Sequence, residues 1–290
     1  MRRRDGRVPS DLRPLDCELS LLSSCDGSAR FSTGGTSVLA SVHGPRPARS
    51  ARHEDSERAR LEVHVAPAVG LPGPFEAELC ALLRQVLTPT LALALYPRAV
   101  VTLSVHVQAD DGGGAAAAVN AAVLALADAG VAMRELLGAV ALGWGVPAAA
   151  GGGARCEGAA LDPTAAEAAG AAAHGVVVFE ALGAGGDGAR EEGGGGEEEE
   201  EGEEEVGGEG AAGGCRVARA PLALIVEGPL PLAALEDALR GIARPAAAVV
   251  VAFLRRALRE KVLRDANNFA GELSVSVGEL RGGSDGAAAF

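Results

Sequence analysis

The stretch AVVTLSVHVQADDGGGAAAAVNAAVLALADAG, Ala99 to Gly130, decides the fold class. Its first part alternates apolar and polar side chains, the period of a half-buried strand. From Ala115 to Asp128 it becomes an alanine-rich helix, stopped at Gly130. Between the two stand three consecutive glycines, Gly112 to Gly114. A glycine turn opening onto a helix aims free backbone N–H groups and partial positive charge at an anion. Yet no Lys-Ser/Thr pair follows the glycines and the full G-x-G-x-x-G spacing is missing. By itself the stretch reads more readily as a flexible turn or as an alanine-rich buried helix.

Upstream, CELSLLS, SARFSTG and TSVLASVHG are short apolar-rich segments separated by Asp-Gly, Gly-Gly and Gly-Pro, which predicts an antiparallel meander. RLEVHVAPAVG alternates Leu61, Val63 and Val65 with polar residues and reads as a further strand. After the GLPG turn, Phe75 to about Thr88 reads as a helix with Leu79, Leu82, Leu83 and Leu87 on one face. Downstream, strands are expected in LLGAVALGW and GVVVFEA around a hairpin-like excursion, and again in APLALIVEG. Leu232 to Leu263 reads as a long helix kinked at Gly241 and Pro245. The polar tail from Asp265 reads as loose. The pattern is α/β, mixed α+β with antiparallel strands, interrupted by one insertion.

That insertion accounts for most of the charge. Leu182 to Gly214 holds twelve acids against Arg190 alone, so it carries −11 of the chain's net −13 and leaves −2 for the remainder. The segment has too few apolar residues to offset the entropy of ordering and is expected to be disordered. The acidic balance therefore does not argue against RNA binding by the folded part, since distant charge is screened within about 8 Å at physiological salt. Five scattered cysteines without C-x-x-C spacing make a zinc site or disulfide framework improbable and predict reduced thiols. No stretch has the character of a signal peptide or a bilayer span, so a soluble intracellular protein is expected. Basic charge is almost entirely arginine, with Lys261 the single lysine. The excess of Ala, Gly and Arg reads as compositional bias.

RDGRVPSDLRPLDCELSLLSSCDGSARFSTGGTSVLASVHGP resembles the N-terminal signature of the ribonuclease PH family: an R-x-D-G-R-like start, L-R-P, an acidic-Gly-Ser turn, then G-x-T-x-V-L-A ending at Gly-Pro. LYPRAVVTLSVHVQADDGG, NAAVLALADAGVAMRELLGAVA and LDPT follow in family order, so the resemblance runs from Arg4 to about Leu263. Within the family the chain is most similar to the ring subunits of the RNA exosome. The resemblance implies the ribonuclease PH-like fold, two related β-α halves with mixed sheets and packed helices. It divides the chain into residues 1–181 and 215–264 as two parts of one domain, 182–214 as the insert and 265–290 as a tail.

Against that family the glycine turn reads as a lost site. Active members carry Gly-Gly-Thr-Arg here, which puts Gly113 at the threonine and Gly114 at a phosphate-binding arginine. An arginine there would offer charge-assisted, bidentate bonds to phosphate, and glycine offers none. Asp110 and Asp111 oppose an anion beside it. The second phosphate arginine falls at Pro74-Phe75-Glu76, so Phe75 occupies the other degenerate position. Arg84 lies nine residues on, about 13 Å along a helix, too far to substitute. Active members also place two metal-binding aspartates, the first six residues after the counterpart of Asp162 and the second six further on. Counting from Asp162 gives Ala168 and His174. A slip of one residue recovers Glu167 but then Ala173. A lone histidine before GVVVFEA reads as an ordinary strand-edge residue. No catalytic residue, metal site or cofactor is assigned.

Binding capacity remains. The loop GPRPARSARHEDSERARLEV holds Arg46, Arg49 and Arg52, and by the resemblance it faces the neck of the ring, where phosphate contacts with RNA are plausible. The same residues read equally as a solvated loop with its own acids, Glu54, Asp55 and Glu57. Arg2, Arg3, Arg4 and Arg7 form a second basic cluster with the same two readings. The expectation is a non-catalytic, RNA-path-lining exosome ring subunit. Its implied partners are other ribonuclease PH-like ring subunits, cap subunits, a separate 3′-to-5′ ribonuclease and RNA, in nucleus, nucleolus and cytoplasm, without a membrane. The alternative is a phosphate-dependent 3′-to-5′ exoribonuclease acting alone or as a homodimer.

Overall fold

A computed structural model describes residues 3, 6–47, 55–146, 158–182 and 215–282, with side chains in the last helix as far as residue 267. The acidic insert from 183 to 214, together with Arg2, Arg4, Arg49 and Arg52, lies outside the described residues.

The expected meander is present. β1 (Leu15–Leu19), β2 (Gly27–Thr33) and β3 (Thr36–Pro47) pair antiparallel in sequence order. β5 (Ala99–Ala109) pairs antiparallel with β3, and β4 (Arg60–Ala66) pairs parallel with β5 on the sheet edge. A parallel pair needs a crossover, and α1 (Pro74–Thr90) supplies it. Its Leu79, Leu82, Leu83, Val86 and Leu87 are buried on one face. The Gly73 N–H donates to Glu76 Oε2 at 2.7 Å, which fixes the entry. The helix ends two residues beyond the expected Thr88. The Thr90 hydroxyl donates to the Val86 carbonyl at 2.9 Å and the Leu91 N–H to Leu87 O at 2.9 Å, so bonding continues around Pro89.

A second sheet has the order β10-β8-β6-β7, built from β6 (Leu137–Trp144), β7 (Ala159–Leu161), β8 (Ala173–Leu182) and β10 (Ala223–Glu227), all pairs antiparallel. The two-residue β9 (Arg216–Val217) pairs with the end of β8. α3 (Ala165–Gly170) joins β7 to β8.

Between the sheets runs α2 (Gly114–Asp128), whose residues from Ala116 to Leu126 are all buried. A helix enclosed on every side has no polar face, and its alanines let strands approach closely. Its one buried polar residue, Asn120, exchanges two bonds with the backbone of Ala139 in β6, at 2.9 and 3.0 Å.

The C-terminal helix departs from expectation in two ways. The kink is a π-turn, Leu239–Ala243, between α4 (Leu232–Ala238) and α5 (Arg244–Gly282). Gly241 sits inside that turn and Pro245 is the second residue of α5, directly after it. The tail expected to be loose from Asp265 continues α5 to Gly282. Polarity there reports exposure, which is high from Val262 to Asn267, and exposure does not prevent helix formation.

Candidate functional site

β5 delivers the glycine turn to the edge of a cleft of about 350 Å³ between α1, the α2 N-terminus and β10. The five positions singled out in sequence meet there: Phe75 in the first turn of α1, Gly113 and Gly114 at the start of α2, Ala168 in α3 and His174 in β8. They lie up to a hundred residues apart in the chain.

The turn holds a left-handed backbone at Gly112 (φ +86°) and Gly113 (φ +73°). A Cβ on Gly112 would also collide with the Pro163 carbonyl, so glycine is required there on two counts. Asp110 folds back over the helix start. It accepts the Gly112 N–H at 2.9 Å, and its carboxylate stands 2.6 Å from where a Gly114 Cβ would lie. The positive end of α2 thus already faces a carboxylate of its own chain. Glu78 and Glu227 also line the cleft, and no arginine or lysine does among the described residues. Apart from the His174 imidazole the remaining side chains are apolar, with Phe75 and Ile225 each about 40% exposed.

Beneath the turn lies a buried ion pair that sequence reading did not assign. Arg13, of L-R-P, donates through Nε to Asp162 Oδ2 at 2.7 Å and through Nη2 to Oδ1 at 2.6 Å. The same guanidinium donates to the carbonyls of Asp111 and Gly112, each at 2.8 Å. Burial works to lower the Arg13 pKa. The bonds to Asp162 and the charges of Asp162, Asp111 and Asp110 outweigh it and hold the pKa above its ordinary value. Asp162, of LDPT, has φ +47° and is 4% exposed. No local pattern marks these partners, which stand 149 residues apart.

Several sequence expectations are corrected here. Glu167, recovered by slipping the metal register, is buried and bidentate to Arg3 through Nε at 3.2 Å and Nη2 at 2.8 Å, so its charge is already matched. Arg3 is fully buried and also bonds the carbonyls of Leu161 and Asp162. Arg7 reaches Asp162 O at 3.2 Å and stands 3.7 Å from Glu167. Two of the four arginines read as a basic surface cluster are therefore structural. His174 is the second residue of β8, which lies between β6 and β10, and the imidazole stands 3.4 Å from Glu227. Arg84 bonds the Val63 carbonyl at 3.3 Å.

Arg46 occupies the opposite end of the first sheet. It pairs with Val100, and from there β5 runs about 30 Å to the glycine turn at roughly 3.3 Å per residue. Its guanidinium lies 3.0 Å from Asp26, with both side chains partly exposed. The Gly44 N–H bond, followed by the Arg46 and His43 charges, holds the Asp26 carboxyl below its usual range. Among the described residues no group of three or more His, Cys, Asp or Glu is placed to hold a metal, and no helix is long and apolar enough to cross a membrane.

Comparison with known proteins places this geometry. Residues 11–132 match the 3′ exoribonuclease family, domain 1 (RNase PH). The exosome complex exonuclease RRP46 homolog of Arabidopsis thaliana is 38% identical over 138 residues, 48% of this chain and 57% of that protein. The exosome complex component Rrp41 of Thermococcus onnurineus is 38% identical over 150 residues, 49% of this chain and 60% of its own. The matched stretch thus spans little more than half the length of these relatives. The crystal structure of rice Rrp46 superposes with a TM-score of 0.67 at 26% identity, covering 89% of this chain and all of that one. Residues 11–132 are thus similar to domain 1 of the ribonuclease PH family, and the fold built on them is similar to that of rice Rrp46.

Proposed function

We propose that this chain is a non-catalytic structural subunit of an RNA exosome ring, supporting 3′-to-5′ RNA processing and degradation, including ribosomal RNA maturation. The reading rests on one observation: at the position where active relatives hold phosphate with arginine, this chain has Gly114 with the Asp110 carboxylate against it. A carboxylate repels the phosphate that phosphorolysis requires, and positioned positive charge is worth several kcal/mol at a phosphoryl centre. Phe75, Ala168 and His174 complete a cleft that, among the described residues, has neither the second cation nor a carboxylate cluster placed to hold magnesium. The work left to the chain is to pair with other ribonuclease PH-like subunits, join cap subunits and lead RNA to a separate 3′-to-5′ ribonuclease, in nucleus, nucleolus and cytoplasm. Arg46, Arg49 and Arg52 are the proposed contacts to the RNA backbone, Arg46 exchanging Asp26 for phosphate.

A second reading, a phosphate-dependent exoribonuclease acting alone or as a homodimer, draws on the word exonuclease in the name of the Arabidopsis relative. One pair of measurements separates the two. Mass spectrometry of complexes isolated with the tagged chain should recover ring and cap subunits, and in those complexes alanine at Arg46, Arg49 and Arg52 should weaken RNA protection. The purified chain, given RNA, inorganic phosphate and magnesium, should release no nucleoside diphosphates, and Gly114→Arg alone should not restore release. Phosphate-dependent diphosphate release by the unaltered chain, absent from a mock purification, replaces the first reading with the second.

A further inference from the structure

We propose that the cleft between α1 and β10 docks an extended segment of a partner protein that carries arginine or lysine beside apolar side chains. The cleft has the charge of a cation site: Glu78, Asp110 and Glu227 stand at its walls, and among the described residues no lysine or arginine lines it. Glu78 has no ion-pair partner among the described residues, and the contact between Glu227 and His174 is a long 3.4 Å. Between the carboxylates the walls are apolar and open, with Phe75 42% and Ile225 40% exposed on opposite sides. An aliphatic stem ending in a guanidinium or ammonium matches that arrangement, its methylenes on the apolar wall and its head on the carboxylates. A nucleotide or phosphate matches neither.

The surface also exceeds the needs of a small molecule. Val69 and Leu71, in the loop leading into α1, are each 91% exposed, and Leu71 stands four residues before Phe75. Exposed apolar side chains in the loop that leads into a cleft wall add to an interaction surface. β10 is an edge strand, paired on one side by β8 and on the other by no described strand. An extended segment can add to such an edge through main-chain bonds while alternate side chains enter the cleft. Complementary charge then fixes which segment is accepted. The chain's own arginine loop, beyond Pro47, leaves from the far end of the first sheet, about 30 Å from the glycine turn, so the proposed occupant is a segment of another protein rather than that loop. The inference does not depend on ring membership, and its test uses the isolated chain.

The probe is a fluorescein-labelled hexapeptide alternating valine and arginine, followed by fluorescence anisotropy with the purified full chain at physiological salt. Saturable binding is expected, weakened at least tenfold by Glu78→Gln with Glu227→Gln, and separately by Phe75→Ala. All three residues are exposed, and thermal melts should match the unaltered chain. The same peptide with glutamate in place of arginine should not bind. Because the chain's acidic insert also attracts cations, binding is repeated after residues 187–212 are replaced by a short Gly/Ser linker, and it should persist. Absence of saturation, indifference to the cleft substitutions, loss with the insert, or displacement of the peptide by inorganic phosphate or an RNA oligonucleotide each overturns the proposal.

Discussion

Arg13 is the residue on which the glycine turn rests. Its guanidinium joins the turn carbonyls to a buried carboxylate, so truncation strands Asp162 in the interior without a counter-charge. Breaking a buried pair by removing one partner costs about 3–5 kcal/mol. Arg13→Ala should therefore lower the midpoint of thermal unfolding by roughly 6–20 °C, at about 2–4 °C per kcal/mol for a chain of this size. Adding Asp162→Ala should recover part of that loss, a coupling that calorimetry of the single and double variants measures. Cys17 gives a second prediction. Burial first, then the charges of Asp16, Glu260 and Glu18, push its thiol up to about 11 from an ordinary 9.0. A raised folded-state value means the contribution to stability is complete below about pH 9 and is lost as pH climbs toward 11. At pH 8 only about one Cys17 in a thousand is thiolate, so alkylation of the folded chain by iodoacetamide should be slow and should accelerate on unfolding or as pH approaches 11. Mass-spectrometric footprinting of the Cys17 peptide reads this directly.

At the scale of elements, α2 and the C-terminal helix teach opposite lessons. The alanines of α2 look uninformative in a chain rich in alanine, yet small side chains are what a helix packed between sheets requires. Composition counts residues without knowing what will face them. In the C-terminal region, glycine and proline mark the irregularity at the right place, because they act on the local backbone. The form it takes, a π-turn, follows from the packing of Ala238 and Ala243, which are buried on either side of an exposed Gly241. A Cβ at Gly241 meets no atom within 4 Å and the backbone is not left-handed there. Gly241→Ala should therefore stabilise the chain by about 0.5–1 kcal/mol through reduced unfolded-state entropy, seen as a small rise in the unfolding midpoint. A fall would show that the π-turn needs glycine for its backbone.

Across the whole molecule, the residues that flank the acidic segment are paired antiparallel. Leu182 of β8 pairs with Arg216 of β9, and Ala181 with Val217, so the two ends of the insertion are held side by side. Loop closure entropy varies slowly with length, and a short connection spans adjacent antiparallel strands. Replacing residues 187–212 with a short Gly/Ser linker should leave the unfolding midpoint within a few degrees and leave the proposed association with ring subunits intact. A large drop would show that the segment packs. What the sequence by itself determined was local: which stretches alternate at the strand period, which carry a helical stripe, where glycine replaces arginine, and where charge is concentrated. Those properties belong to a residue and its near neighbours, and they survive without knowledge of the fold. Only the tertiary structure decided that Arg3 is buried, that Arg7 turns onto Asp162, that Arg13 meets Asp162, that His174 lies on an inner strand, and that Phe75, Gly114, Ala168 and His174 share one cleft. Such contacts join residues as many as 164 positions apart, where charge matching and burial act through space and leave no trace in spacing along the chain.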